Sequence, residues 1–277
     1  MRTLELAGVA VPVIGQGTWR MGEDRSAHKL EVAALRQGID LGMTLIDTAE
    51  MYAEGGAEEV VGEAIAGRRD EVFLVSKVYP HNASRKGVAQ AIERSLRRMN
   101  TDYIDLYLLH WRGQYPLEET VEAFECLREE GKIGRWGVSN FDLEDMHELA
   151  SVSPANACAT NQVLYNLEER GIEFDLLPWS QQQRLPVMAY CPIGQGGQML
   201  GHAALAQVAA RHAASPAQVA LAWLLRQDNV IAIPKAVRPE HVTLNAQAAQ
   251  LKLDAADLTA LDQAFRAPQR KQRLAMV

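Results

Sequence analysis

Eight short β-rich runs alternate with longer helical patterns along the chain, and this alternation limits the possible folds more than any other feature of the sequence. The runs lie at residues 13–17, 44–47, 72–76, 104–110, 135–139, 160–163, 187–190 and 230–234. Residues 72–75 and 106–109 are apolar along their length, which is typical of strands buried on both faces of a parallel sheet. The pattern predicts an α/β fold of the (β/α)8 TIM-barrel type, with an open doubly wound sheet as the alternative.

Amphipathic stretches separate the runs and carry the usual signals of helix ends. They lie at residues 28–41, 57–66, 84–98, 117–130, 142–150, 202–211, 216–226 and 239–250, and a weak helical pattern lies at 172–183. Ser84 and Asp142 are typical N-cap residues, because their side chains can accept from the free N–H groups of a first turn. Gly42 and Gly131 stand where a left-handed residue is needed to end a helix.

The N-terminal segment predicts a short β-hairpin that precedes the barrel. Residues 4–6 can pair with residues 9–11 across a two-residue turn at 7–8. A signal peptide is the alternative, but Glu5 interrupts the apolar stretch that a signal peptide needs. We therefore expect the hairpin.

Composition narrows the possible classes of function. With 277 residues, 48% of them hydrophobic, the chain can bury a large core, and we expect one domain over residues 1–277. A net charge of −7 offers no basic field to nucleic acid, and no apolar run approaches the roughly 20 residues of a membrane span. The three cysteines form no CxxC pair, so neither disulfides nor a metal site are predicted and a reducing, cytoplasmic location is expected.

Four ionisable side chains follow consecutive strands of the predicted barrel. Asp47, Lys77 and His110 come at the ends of the second, third and fourth runs, and Tyr52 lies in the loop after the second. Active sites of such barrels lie at the carboxyl ends of the strands, so the four groups would converge at one rim. Taken singly, each residue has a purely structural explanation: Asp47 as a turn residue or helix cap, Lys77 as a solvated charge, His110 as a buried core imidazole and Tyr52 as a packing residue of the loop. Together they predict an acid–base site.

A tyrosine beside an ammonium group is suited to proton transfer. The pKa of a free phenol is about 10, and a nearby ammonium lowers it by stabilising the phenolate. Lys77 can supply that charge, Asp47 can hold Lys77 in place, and His110 can orient a carbonyl oxygen. We therefore expect Tyr52 to be the general acid, with its pKa lowered by Lys77.

Eight ordered segments of the chain resemble the aldo-keto reductase family. They are GQGTW at 15–19, LIDTAEMY at 45–52, LVSK at 74–77, DLYLLHW at 105–111, GRWGVSNF at 134–141, TNQ at 160–162, AYCP at 189–192 and IAIPK at 231–235. The resemblance covers nearly the whole chain and is strongest for bacterial members of the methylglyoxal-reductase type. It implies reduction of aldehydes and ketones by a catalytic tetrad, in which Tyr52 is the proton donor, made of Asp47, Tyr52, Lys77 and His110.

The same resemblance implies NADPH (NADP+) as the cofactor, extended across the barrel mouth. A Rossmann site is not indicated, because Arg20 stands where the third glycine of GxGxxG should be. By the family's pattern, Ser139, Asn140 and Gln162 would hydrogen-bond the nicotinamide carboxamide. Tyr190 would stack on the nicotinamide ring.

Further cofactor contacts are implied at the pyrophosphate and at the adenosine end. Pro192, Gly194 and Gly196 belong to a loop that would close over the pyrophosphate. Lys235 matches the position that pairs with the 2′-phosphate, which favours NADP over NAD. Neighbouring positions of the pattern are held by Ala236, His241 and Asn245. His241 stands where many members carry arginine, so phosphate recognition should be weaker.

An apolar cup for the substrate is expected above the nicotinamide. Its walls would come from five side chains, Trp19, Met21, Met51, Tyr79 and Trp111. Such a soft, aromatic cup suits small or varied carbonyl compounds. Only residues 267–277 follow the last helix, fewer than many members of the family use to enclose the substrate, so an open pocket is expected. Methylglyoxal is the expected substrate, followed by other 2-oxoaldehydes and aromatic aldehydes.

Two other functions could use the same residues. A non-catalytic NADP(H)-binding regulatory subunit would share the fold, although the intact tetrad speaks against it. A lyase or aldolase could use Lys77 to form a Schiff base. For the reductase we expect a small carbonyl substrate, a monomer, and no nucleic-acid or membrane partner.

Overall fold

Eight parallel strands curl into a barrel in the computed structural model, which describes residues 1–154 and 157–277. A two-stranded antiparallel hairpin precedes them, and each barrel strand pairs with the next one along the chain. The strands are β1 (Thr3–Leu6) and β2 (Val9–Pro12) in the hairpin, then β3 (Gln16–Gly17), β4 (Leu45–Asp47), β5 (Phe73–Val78), β6 (Ile104–Leu109), β7 (Ile133–Ser139), β8 (Cys158–Leu164), β9 (Val187–Tyr190) and β10 (Val230–Ala232).

Hydrogen bonds between the two ends of the sheet close the barrel. Ile14 forms a parallel bridge with Ala232, and the Gly15 N–H donates to the Ala232 carbonyl at 2.8 Å. Higher along this seam, the Gly17 N–H donates to the Pro234 carbonyl at 3.1 Å. A closed ring of parallel strands confirms the predicted (β/α)8 barrel and excludes the open doubly wound sheet.

Helices cover the outside of the barrel. They are α1 (His28–Asp40), α2 (Gly56–Ile65), α3 (Arg85–Met99), α4 (Leu117–Glu129), α5 (Leu143–Val152), α6 (Leu176–Gln182), α7 (Ala203–Arg211), α8 (Pro216–Leu224), α9 (Pro239–Ala248) and α10 (Ala255–Ala264). Their buried faces pack against outward-facing strand residues such as Leu74 and Val78. Among the described residues, no helix combines the length and the hydropathy that a bilayer-spanning segment requires.

Observed caps explain why the predicted helices begin and end where they do. The Ser84 hydroxyl accepts from the Gly87 N–H at 3.1 Å, and the Asp142 carboxylate accepts from two N–H groups in the first turn of α5. Gly42 and Gly131 have φ values of 86° and 73°, a left-handed conformation that a residue without Cβ adopts at low cost. These four predictions are confirmed.

The predicted N-terminal hairpin is also confirmed, and it covers the lower end of the barrel, where the strands begin. Ala7 and Gly8 have positive φ values of 45° and 83°, as a tight two-residue turn between twisted strands requires. Leu6 and Val11 are buried among the inward-facing side chains of the barrel, including Phe73 at the start of β5. Access to the barrel interior is therefore left to the upper end.

Replacing Leu6 by alanine is expected to destabilise the protein without changing its fold. The side chain is fully buried between hairpin and barrel, and losing such a leucine lowers the free energy of unfolding by about 2 to 5 kcal/mol. Urea unfolding followed by circular dichroism measures the change. Glu5→Ala, at an exposed position of the same strand, is the control. Equal free energies of unfolding for the two variants would contradict the sealing role of the hairpin.

Candidate active site

Strand register brings three of the predicted catalytic side chains to the upper rim. Asp47, Lys77 and His110 each follow, by two positions, an apolar residue of the barrel interior, namely Leu45, Val75 and Leu108. Because side chains alternate between the two faces of a strand, the second residue onward faces inward again. β4 pairs with β5, and β5 pairs with β6, so the three side chains come from neighbouring strands.

Lys77 connects the polar groups at the centre of the rim. Its ammonium donates to Asp47 Oδ2 at 2.8 Å, to the Thr48 carbonyl at 2.8 Å and to Tyr52 Oη at 3.3 Å. The side chain is fully buried. All three N–H groups have an acceptor, so the amine is not a free nucleophile. This arrangement speaks against a Schiff base at Lys77.

The pKa of Tyr52 moves in the direction opposite to the one expected from sequence. Burial raises the pKa of the phenol well above its ordinary value of 10.0, and the negative charge of Asp47 raises it further. The Lys77 ammonium does not outweigh these two effects, because much of its charge is balanced in a buried ion pair with Asp47. The expectation that Lys77 acidifies Tyr52 is therefore wrong, and the phenol keeps its proton at neutral pH.

His110 is an uncharged neighbour of Tyr52. Burial, helped by the positive charge of Lys77, lowers the pKa of the imidazole well below its ordinary value of 6.5. The His110 and Tyr52 rings meet edge-on, with their centroids 5.8 Å apart. Nδ1 is buried, and no described residue forms a hydrogen bond with it. A neutral imidazole carries one N–H donor, which can hold an oxygen atom without bringing a charge to it.

A cavity of about 920 Å³ opens above these groups. Small-molecule sites commonly enclose roughly 300 to 1,000 Å³, so this one is large. The predicted site residues that line it are Trp19, Asp47, Met51, Tyr52, His110, Trp111, Ser139, Asn140, Gln162, Tyr190, Pro192, Gly196, Lys235, Ala236, His241 and Asn245. Lys77 is fully buried and reaches these groups through its contacts with Asp47 and Tyr52.

Two residues predicted for the substrate cup do not line the cavity. Met21 is fully buried in the core between barrel and helices, because the chain turns back there and the Met21 N–H donates to the Thr18 carbonyl. The Tyr79 ring packs edge-on against the Trp111 ring, with centroids 5.3 Å apart, and thereby supports a residue that does line the cavity. Both predictions are wrong as direct contacts.

Two of the three side chains predicted to hold a carboxamide are hydrogen-bonded to residues of the predicted tetrad, and the third, Ser139, donates to the Gln162 carbonyl at 2.8 Å. Gln162 donates to Asp47 Oδ1 at 2.8 Å. Asn140 donates to the His110 carbonyl at 3.1 Å and accepts from Tyr190 Oη at 2.8 Å. The cavity therefore presents amide groups beside Asp47 and an aromatic ring beside Asn140, a combination that fits a planar ring bearing a carboxamide.

The segment after β10 forms another wall of the cavity. Lys235 and His241 are exposed in this wall, and Asn245 is buried in it. An ammonium and an imidazole suit a phosphate group, so these residues could hold the phosphorylated end of a dinucleotide. Of the two loop glycines predicted for the pyrophosphate, Gly196 lines the cavity and Gly194 does not.

The lining residues to which the sequence interpretation gave no role include Arg20, Cys191, Met276 and Val277. The Arg20 guanidinium lies 4.7 Å from the centroid of the Trp19 ring. Residues 276–277 bring the exposed end of the C-terminal segment to the edge of the cavity. That segment forms neither helix nor strand, so no periodicity in the sequence could have indicated its position.

Sequence comparison identifies relatives over almost the entire chain. The profile of the Aldo/keto reductase family matches residues 13–266. Methylglyoxal reductase YeaE of Escherichia coli (strain K12) is 58% identical over 273 residues, which cover 97% of this chain and 96% of that protein.

Solved structures with the same fold agree with the sequence comparison. An aldo/keto reductase from Klebsiella pneumoniae in complex with NADP and acetate is 56% identical, with a TM-score of 0.97 and coverage of 99% of both chains. An aldo-keto reductase from Klebsiella pneumoniae in complex with NADPH is 56% identical, with a TM-score of 0.98 and coverage of 100% of this chain and 99% of that one. The fold, the rim of ionisable groups and these relatives together establish that the chain belongs to the aldo/keto reductase family.

Proposed function

We propose that this protein uses NADPH to reduce small aldehydes and ketones to alcohols, with Tyr52 as the proton donor. The proposal is carried by the 3.3 Å contact between Lys77 Nζ and Tyr52 Oη beside a cavity of about 920 Å³. The name of the Escherichia coli relative supports methylglyoxal as a substrate. The Klebsiella pneumoniae structures, which hold NADP and NADPH, support the choice of cofactor.

Hydrogen-bond directions at Tyr52 favour proton donation into the cavity. An ammonium can only donate, so Lys77 occupies a lone pair of the phenol oxygen and leaves the O–H free to point at a substrate. When bound, NADPH supplies the hydride that reduces the carbonyl carbon. As negative charge grows on the carbonyl oxygen, Tyr52 gives it a proton, and Lys77 stabilises the phenolate that remains. Burial lowers the pKa of the Lys77 ammonium, and the negative charge of Asp47 opposes that fall and so favours the charged form.

Apolar side chains around this centre favour small, varied substrates. Trp19, Met51 and Trp111 offer hydrophobic surface, and the neutral His110 can donate to the carbonyl oxygen beside Tyr52. Methylglyoxal, other 2-oxoaldehydes and aromatic aldehydes fit such a site. Met276 adds apolar surface to the edge of the cavity.

The wall after β10 favours NADPH over NADH without making the choice strict. Lys235 would pair with the 2′-phosphate as a point charge. His241 lacks the two parallel donors of an arginine, so discrimination between the two cofactors should be moderate. Ala236 and Asn245 would contact the same end of the cofactor.

We further propose that residues 1–277 act as one domain, as a monomer, in the reducing cytoplasm. Cys126, Cys158 and Cys191 are free thiols, as expected in a reducing compartment. Light scattering coupled to size-exclusion chromatography tests the monomer.

The direct test is NADPH oxidation by the wild-type protein against a panel of aldehydes and ketones. Turnover of methylglyoxal and of at least one aromatic aldehyde is expected. NADPH binding without turnover of any compound would favour the regulatory-subunit alternative.

Tyr52→Phe is expected to fold and to bind NADPH but to lose most turnover. Removing the general acid should lower kcat by a factor of about 10² to 10⁴. Tyr79→Phe is the matched control, because the same oxygen is removed from a neighbouring tyrosine that does not line the cavity. Near-normal kcat in Tyr52→Phe would overturn the assignment of the proton donor.

The pH dependence of reduction follows from the two shifted groups. Because burial raises the pKa of Tyr52, the acid stays protonated until alkaline pH. Because burial lowers the pKa of His110, the imidazole stays neutral as pH falls through the ordinary histidine range. At saturating NADPH, kcat should be flat between about pH 6 and 8 and fall only at alkaline pH. A transition centred near neutral pH would contradict these directions.

Lys235→Ala is expected to raise KM for NADPH and to leave KM for NADH unchanged. Loss of a charged hydrogen bond to a phosphate should weaken NADPH binding by a factor of about 10 to 100. Lys252→Ala is the control, since Lys252 is also an exposed lysine but follows α9 and does not line the cavity. An unchanged KM for NADPH in Lys235→Ala would remove this lysine from the cofactor site.

A further inference from the structure

We propose that Glu50 is a positioning residue that holds the loop carrying Tyr52 against the loop that follows Lys77. This inference rests on the proposed function and names a further residue on which that site depends. Glu50 lies in the loop after β4, on the upper rim, yet it is only 7% exposed. A carboxylate buried in a loop needs partners, and its partners lie on other elements.

The Glu50 carboxylate accepts three hydrogen bonds from beyond its own loop. Oε1 accepts from the Tyr79 N–H at 2.8 Å and from Asn82 Nδ2 at 2.9 Å, both in the segment after β5. Oε2 accepts from the Arg94 guanidinium, on α3, at 3.2 Å. The carboxylate therefore bridges the connection after β4 to the connection after β5 and to the helix that follows it.

This bridge lies two residues from each partner of the Lys77–Tyr52 contact. Glu50 precedes Tyr52 by two positions, and Tyr79 follows Lys77 by two positions. The backbone adds a longer bond from the Glu50 N–H to the Lys77 carbonyl, at 3.4 Å. A shift of one loop relative to the other would change the 3.3 Å separation of Nζ and Oη directly.

The conformation of the Tyr52 loop explains why a restraint is needed. Ala53 and Glu54, which follow Tyr52, have φ values of 49° and 54°. Successive residues with side chains are unfavourable in this left-handed region and persist there only when the surrounding structure holds the chain. The hydrogen bonds of Glu50 restrain the chain in this way on the N-terminal side of Tyr52.

Asp105 provides a matched control at the opposite end of the barrel. Its carboxylate also accepts from a backbone N–H, that of Leu74 at 2.9 Å, and from an arginine, Arg69 at 2.7 Å. It lies near the start of β6 and does not line the cavity. Removing Asp105 breaks the same kinds of bonds without touching the loops after β4 and β5.

The experiment compares Glu50→Ala and Glu50→Gln with Asp105→Ala and Asp105→Asn, at a temperature at which circular dichroism shows the variants folded. Glu50→Ala should lower kcat by a factor of about 10 to 100, as misplaced catalytic groups do. Glu50→Gln should lower kcat only about threefold, because the glutamine amide oxygen can still accept from the Tyr79 N–H. The Kd of NADPH, measured by fluorescence quenching, should stay at the wild-type value, and both Asp105 variants should keep wild-type kcat.

Wild-type kcat in both Glu50 variants, or an equal loss of kcat in the Asp105 variants, would overturn the positioning role. If Glu50→Ala does not fold, Glu50→Gln and Asp105→Asn decide: a loss in the first alone supports the role, and equal kcat values overturn it. A wild-type protein without carbonyl reduction would instead overturn the proposed function, so the two failures are distinguishable.

Discussion

The ammonium of Lys77, buried among oxygen acceptors, is the interaction on which the rest of the active site depends. Removing a charged amine from water is costly unless each of its donors is satisfied and a counter-charge lies nearby. Asp47 supplies the counter-charge, and the Thr48 carbonyl and Tyr52 Oη take the remaining donors. The lysine therefore fixes the positions of a carboxylate and a phenol that come from the end of one strand and from the loop after it.

Burial has opposite effects on the pKa values of the two groups that flank the reaction centre, and both effects favour neutral donors. A phenol loses its proton less readily when buried, and an imidazole gains one less readily. Tyr52 and His110 thus both face the cavity as uncharged hydrogen-bond donors. The ion pair beneath Tyr52 adds a charge that matters mainly once the phenol begins to give up its proton.

The parts of the structure that obey strand periodicity and turn chemistry could be predicted from the sequence. The alternation of strand and helix patterns predicts the eight barrel strands. The alternation of side chains between the two faces of each strand explains why Asp47 and Lys77 converge. The parts decided by tertiary packing could not be predicted. Met21 lies close in sequence to a cavity residue yet is buried in the core, and residues 276–277 reach the cavity without any local signal. The predicted lowering of the Tyr52 pKa was wrong for the same reason, because residue types alone do not reveal how far a group is desolvated.

The seam that closes the barrel brings together two parts of the cavity wall whose residues are distant in sequence. A Cβ at Gly17 would lie 2.7 Å from the Ile233 carbonyl oxygen, so the two backbones meet there only because this residue has no side chain. Trp19 follows on one side of the seam and Lys235 on the other. Widening the seam would therefore displace together Trp19 and Lys235, the residues that we propose contact the substrate and the 2′-phosphate. Under the proposed function, natural variation at this joint would alter cofactor preference and substrate preference in concert.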